Sequence, residues 1–277
     1  MKRWASAMMV SLAMAAGGIA SRIAAAAPKA AAPKAPAAKA KVSKVHPVDA
    51  MFASYVTKLP AAVTLSEMNG ATGECHKGSW ATYTLLRSAA AKLPINSEAD
   101  LVPVIKWAFH ADQCIRYIAV DAVVTQLGYD RNQLSIPTMN DPQSYQFHAI
   151  MAALKKRLDT AHTAYELKDF GALIFPTTTA EVTSLLQGEW LEEIGPNIGF
   201  QTTFVIDAKT SKLIWKHLPT DPKFPDSVYS AQMKPMAVVD GHFVLGGDPN
   251  QQFWPVTRDV IWFRSLSPYW DKLRRVH

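Results

Sequence analysis

Two hydrophobic periods divide this chain. Between about residues 80 and 158 apolar side chains recur every three or four positions, and from about 190 onward they alternate with polar ones. The first period is that of helices packed on one face, the second that of strands. Ser97 and Asp100 stand at the S-x-x-D capping spacing, and Leu101, Val104, Ile105, Ala108 and Phe109 follow at i, i+3, i+4, i+7 and i+8. This predicts an amphipathic helix ending near His110. Asp112 caps a second helix, in which Ile115, Ile118, Ala119, Ala122 and Val123 repeat the period until Gly128 stops it. A turn of two or three residues would join the two as an antiparallel pair. Flanking helices are expected over about 77–93 and from Asp141-Pro142, with proline at the first helical position, to Leu158.

A short helix opened by Thr178-x-x-Glu181 precedes the change of period. Residues 203–207 and 212–216 alternate, and four turn residues between them predict a hairpin. Ala237-Val238-Val239 and His242-Phe243-Val244-Leu245 flank Asp240-Gly241, the strongest short hairpin signal in the chain. Residues 259–263 supply a further strand, and Trp190-Leu191 starts another. Five or six antiparallel strands in meander order are implied. The expected fold class is α+β, with an N-terminal α-helical bundle over 48–175 and an antiparallel β-meander over 176–277.

Residues 101–128 resemble a HEAT-type helical repeat. The matching positions are Pro103 in the first helix, Asp112 in the turn, Ile115-Arg116 opening the second helix, Ala119, Ala122-Val123 and the closing Leu127-Gly128. The resemblance implies a helical scaffold and protein–protein contact. Neither flanking helix repeats the pattern, so a single HEAT-like hairpin in a small bundle is expected rather than a stacked array. Leu186-Gln187-Gly188-Glu189-Trp190 is similar to the G-x-W opening of lipocalin-like barrels, although the 80-odd residues that follow are few for eight strands.

Charge changes the picture of where the chain works. Eight of its 29 basic residues lie in the first 46 positions, with no carboxylate before Asp49, which leaves 21 basic against 23 acidic residues in the remainder. The basic excess therefore sits outside the part expected to fold, and a nucleic-acid partner is not implied. Met1-Lys2-Arg3, the apolar small-residue stretch to Ala20 and the alanines at 24–26 have the form of an exported leader, residues 1–26. The stretch is shorter and poorer in large aliphatics than the ~20 strongly apolar residues of a spanning helix. Membrane contact is expected only through this leader if it stays uncleaved, and localisation is expected to be periplasmic or secreted. Residues 27–47 are Ala, Pro and Lys almost alone, with nothing large to bury, and read as a disordered linker.

The compartment bears on the two cysteines. Cys75 and Cys114 are expected to pair in an oxidising envelope. Glu74-Cys75-His76 is too sparse for a metal site, and no C-x-x-C or H-x-x-H spacing exists. H-E-x-x-H, G-x-S-x-G and S-x-x-K are likewise missing, and Gly73-x-x-x-x-Gly78-Ser79 lacks the lysine of a phosphate-binding loop. No cofactor or metal is expected. His217, Met233, Met236 and His242 would suit copper, but strand alternation accounts for them equally. His110 and Asp112 beside Cys114 read as a solvent-facing ring and a helix cap.

One segment carries binding chemistry. The loop 246–255 gathers Asp248, Asn250, Gln251, Gln252, Phe253 and Trp254. Amides pair with hydroxyls while an aromatic face stacks on an apolar ring face, a mixture that suits a sugar or peptide. The expectation is an exported cell-envelope binding or accessory protein without its own catalysis, contacting an envelope protein or a cell-wall glycan. The alternatives are an envelope hydrolase acting on cell-wall or peptide bonds, and an immunity-type inhibitor of a toxic enzyme.

Overall fold

The computed structural model describes residues 45–65, 80–193, 200–207, 210, 212–219, 227–232, 237–239, 242–244, 252–264 and 270–277. Among them, helices α1 (Pro47–Leu65), α2 (Trp80–Ala91), α3 (Glu98–Trp107), α4 (Gln113–Leu127), α5 (Ile136–Met139), α6 (Tyr145–Thr160) and α7 (Thr179–Leu186) precede nine strands. The protein is α+β, helices first. No helix among the described residues is long and apolar enough to cross a membrane. The expected leader and almost all of the expected linker lie outside the described residues.

Local chemistry places most helix ends. The Asp100 carboxylate accepts from the backbone N–H groups of Asn96 and Ser97, both at 2.9 Å, and holds the first turn of α3. Asp112 caps α4 by accepting from the N–H groups of Cys114 at 2.7 Å and Ile115 at 3.2 Å. Gly128 ends α4 at φ 72°, where a side chain would be strained. Five residues rather than two or three separate α3 from α4, because Ala108 to His110 continue the winding with short-range backbone bonds. α6 starts at Tyr145 and not at Pro142: Asp141 turns the chain by accepting from Gln143 N–H, and Ser144 is the residue that caps Phe147 N–H. Tyr117, Ile118, Phe147, Leu154 and Phe170 are among the fully buried side chains at the centre of the helical core.

The strands are β1 (Gly188–Glu192), β2 (Phe200–Asp207), β3 (Lys212–Pro219), β4 (Ser227–Gln232), β5 (Ala237–Val239), β6 (His242–Val244), β7 (Gln252–Pro255), β8 (Val260–Arg264) and β9 (Asp271–Arg275). They form one sheet in the order β4-β3-β2-β1-β9-β8-β7-β6-β5, with every neighbouring pair antiparallel. Nine strands among the described residues replace the expected five or six. β4, β7 and β9 carry no clean alternation, and by composition the residues of β7 belong to a loop.

Connectivity forces this sheet to curl. Its edge strands β4 and β5 are consecutive in sequence, four residues apart, and eight antiparallel reversals make them run the same way. Five Cα steps reach at most about 18 Å. A flat sheet would hold its edges about 38 Å apart at ~4.8 Å per strand spacing. The edges therefore approach each other, although among the described residues no pairing joins β4 to β5.

The concave and convex faces have separate cores. Trp190, Phe204, Ile206, Leu213, Phe253, Ile261, Phe263 and Leu273 cluster on the concave side with Val182 and Leu186 of α7. Trp190 donates its indole N–H to Leu186 O at 2.9 Å, and the Arg275 guanidinium lies 4.3 Å from the Trp190 ring centroid. Arg275 also donates to Gln187 O at 2.8 Å, fastening the end of α7. Gly188 has φ 127°, and a Cβ there would stand 3.0 Å from Arg275 Nη1. The glycine of the G-x-W sequence is thus required by its backbone, since L side chains rarely adopt φ 127°, and Arg275 packs closely over it. On the convex side Val256 and Val260 belong to the helical core, with Trp254 and Trp262 packed against it.

Candidate functional site: an aromatic face on the curled sheet

Strand register assembles the site. Trp254 of β7 lies opposite Trp262 of β8, and Trp262 opposite Lys272 of β9, so these three form a row across the convex face. Gln252 lies opposite Arg264 in the neighbouring row, at the end of β8 from which the chain returns through Trp270 into β9. Tyr145, the first residue of α6, leans over both rows. Its ring centroid is 4.8 Å from that of Trp270 in a stacked pair, 5.4 Å from Trp262 and 6.2 Å from Trp254. Trp254 and Trp270 are 6.0 Å apart, edge to face. All four rings are half-buried, so each keeps part of its surface in solvent. Aromatic pairs at these separations favour such offset and edge-on arrangements.

The polar ends of two indoles are turned inward. Trp254 Nε1–H donates to His148 Nδ1 at 2.8 Å, and Trp262 Nε1–H donates to Gln143 O at 2.7 Å. Gln143 Oε1 in turn accepts from Lys272 Nζ at 2.9 Å and from Arg274 Nη2 at 3.0 Å. Lys272 also meets Glu193 at 3.0 Å, and Arg274 pairs with the same carboxylate. These contacts fix the two indoles where the sheet meets the helical core.

His148 anchors the arrangement. It is 1 % exposed. Because an indole N–H only donates, Nδ1 is the unprotonated nitrogen, and Nε2–H donates to Ile174 O at 2.6 Å. Burial pushes its pKa down to about 4, with the Ile174 hydrogen bond opposing. The Tyr145 phenol is raised by burial, against a hydrogen bond from Gln146 and the charge of Arg264.

On the concave side Asp271 lies opposite Phe263 and two residues from buried Leu273, whose partner across β1 is Glu192. Burial, with the Glu192 charge adding to it, pushes the Asp271 carboxyl up to about 6. A carboxyl in that range holds a proton near neutrality more often than an exposed one.

The sequence candidates separate on this frame. Phe253 is fully buried on the concave side, stacked on Phe263 at 4.7 Å. Gln252 and Trp254 are on the convex face. Asp248, Asn250 and Gln251 lie outside the described residues, as do Met233, Met236 and Cys75. His217 and His242 have their backbones in β3 and β6. Cys114 is buried in the first turn of α4. His110 Nδ1 accepts from Asp112 N–H at 3.0 Å, and the His110 carbonyl accepts from Arg116 at 2.7 Å, so that group ties the α3–α4 turn. Among the described residues no three His, Cys, Asp or Glu side chains gather as metal ligands.

Sequence reasoning missed Tyr145, Trp262 and Trp270. Trp262 alternates with buried Ile261 and Phe263, which marks it as belonging to the opposite face. The joining of α6 to β7–β9 had no local signal.

Together these features define an α+β protein whose curled antiparallel sheet packs an aromatic cluster against its helical bundle. Neither protein-family patterns nor curated proteins nor solved structures yield a match to this chain, the HEAT-like and G-x-W segments included.

Proposed function

We propose that this chain is an exported binding or accessory protein of the cell envelope, without catalysis of its own, whose partner is an envelope protein or a cell-wall glycan. The observation that carries the reading is the cluster of four half-buried aromatic rings, Tyr145, Trp254, Trp262 and Trp270, gathered where α6 meets β7–β9. The 246–255 segment ends in this cluster at Trp254. Export rests on the leader, and the Cys75–Cys114 disulfide is proposed with it. If both cysteines can be alkylated before any reductant is added, they are free thiols and the pairing is refuted.

The test is retention of the chain from Ala27 onward on purified peptidoglycan and in envelope extract, beside Tyr145→Ala. Retention on either, weakened by the substitution, supports the reading. A chain retained by neither has no such role.

Asp271 favours one second reading, an envelope hydrolase, since a carboxyl near 6 beside Glu192 is poised as a general acid. Release of soluble fragments from peptidoglycan by the chain, abolished in Asp271→Asn, would put that reading first.

A further inference from the structure

The joint between the helical part and the sheet is closed by a ring of hydrogen bonds that passes through one histidine. Trp254 Nε1–H donates to His148 Nδ1 at 2.8 Å, and His148 Nε2–H donates to Ile174 O at 2.6 Å. Ile174 N–H donates to Val256 O at 3.1 Å, two residues along from Trp254. The ring ties α6, the segment leading to α7 and the end of β7 to one another. Its weak link is the first. An indole N–H can only donate, so a proton on Nδ1 sets two donors against each other across 2.8 Å. The imidazole has no freedom to turn away, because Phe175 stacks on it at 5.2 Å and Trp254 meets it edge to face at 6.1 Å.

The proton affinity of His148 is set by burial, against the Ile174 bond, and not by a charged neighbour. β7 and residues 174–175 bring no ionisable side chain to it. Glu166, Lys168 and Asp169, around the Phe170 ring that meets Phe175, are engaged with one another. On α4, Arg116 bonds to backbone carbonyls and Asp121 pairs with Arg131; on α3, Glu98 pairs with Arg157. Tyr145, Arg264, Lys272, Arg274 and Glu193 lie at the β8–β9 end of the joint. Opening the ring leaves both cores whole. Trp254 and Val256 reach the helical core from the sheet, whereas Phe253 between them belongs to the separate concave core with Trp190, Phe204 and Phe263.

We infer that His148 is an acid-released latch: on taking up a proton it lets go of Trp254, and the end of β7 parts from α6 and uncovers Trp254 and Val256 while the two cores stay folded. The latch does not depend on which partner the protein takes. In the open state the histidine titrates as an exposed one, near 6.5, whereas in the closed state burial holds it at about 4. Acid therefore leaves opening unchanged above pH 6.5 and favours it progressively below. From pH 7.5 to 4.5 the opening constant rises about 70-fold.

Hydrogen exchange of the Ile174 amide and the Trp254 indole, followed by NMR in the full chain at pH 7.5, 6.5, 5.5 and 4.5 and corrected for intrinsic rates, reads that constant. Protection of both groups is expected to fall about 70-fold across the series, while the Ile118 amide of α4 stays the better protected throughout. Far-ultraviolet circular dichroism is expected to hold steady, and a dye for apolar surface to bind more at pH 4.5. His148→Gln should show the same Ile174 protection at all four pH values. In Trp254→Phe, which keeps the histidine and removes the opposing donor, Ile174 should be less protected at pH 7.5 and respond less to acid. Wild-type protection that does not change with pH, or that falls equally in His148→Gln, overturns the latch. Equal protection of Ile174 and Ile118 at every pH also overturns it, since only unfolding of the whole chain would then reach the histidine.

Discussion

Replacing His148 by glutamine tests the joint on which the aromatic face is built. A neutral imidazole there accepts from Trp254 and donates to Ile174. A glutamine amide supplies one acceptor and one donor without a titrating proton. The magnitude comes from linkage. An unfolded histidine protonates near 6.5, whereas burial holds the folded one down at about 4. Above pH 6.5 both states are neutral and the group contributes no pH dependence. As pH falls below 6.5 the unfolded chain gains a proton that the folded chain refuses, and stability is lost progressively until about pH 4. At about 1.4 kcal/mol per pH unit the full loss is about 3 kcal/mol. Other carboxylates and histidines also titrate in this window, so the readout is a difference. Urea unfolding of the wild type and His148→Gln is followed by tryptophan fluorescence at pH 7.5, 6.5, 5.5 and 4.5. At pH 7.5 the variant is the less stable, because the amide does not reproduce the imidazole's packing on Phe175. Its deficit shrinks with acid by about 2.5 kcal/mol down to pH 4.5. A deficit that stays constant from pH 7.5 to 4.5 would show that His148 is charged or hydrated in the folded protein, and the account of the joint would fail.

Trp254→Phe keeps the ring but leaves the buried His148 Nδ1 without its donor, and should cost about 1–3 kcal/mol in urea unfolding at pH 7.5. Asp271→Asn should raise the melting temperature at pH 7.5 and not at pH 4. Its folded carboxyl titrates at about 6 against 3.8 unfolded, so ionising it works against folding only as pH rises through that interval; an equal gain at both pH values refutes this. Gly128→Ala meets nothing within 4 Å, so its cost is the strained backbone at φ 72° alone, about 1 kcal/mol by denaturant titration. Asp112→Ala removes the cap from two N–H groups of α4 and should cost about 1 kcal/mol by the same measurement.

Signals that act within a few residues are legible in the sequence. The capping boxes at Ser97–Asp100 and Thr178–Glu181, the Asp112 cap and the Gly128 stop each depend on groups no more than four positions apart, and all four sit where the spacing puts them. The β2–β3 and β5–β6 hairpins are legible for the same reason. β7 is not, because its four residues are an amide, two aromatics and a proline, and only pairing with β6 and β8 makes them a strand. In sequence 246–255 is one chemical unit, and strand alternation divides it. Phe253 goes to the concave core and Trp254 to the opposite face, so two aromatics adjacent in sequence cannot serve one ligand.

The same limit explains how the 80-odd residues after Trp190, few for a barrel-like sheet of ordinary strands, suffice to curl one. β5 and β6 have three residues each and β7 four. Such short strands hold because the sheet does not stand alone. Arg275 and α7 cover one end of its concave core, and Gln143, Tyr145 and His148 of the helical part grip its convex face. That grip is also what orders the aromatic cluster. Trp254 and Trp262 come from strands with little length to hold them, and their hydrogen bonds to His148 and Gln143 supply the rigidity the strands lack. The helical part and the aromatic cluster are therefore one device: loosening the first should disorder the second, even where no ring is changed.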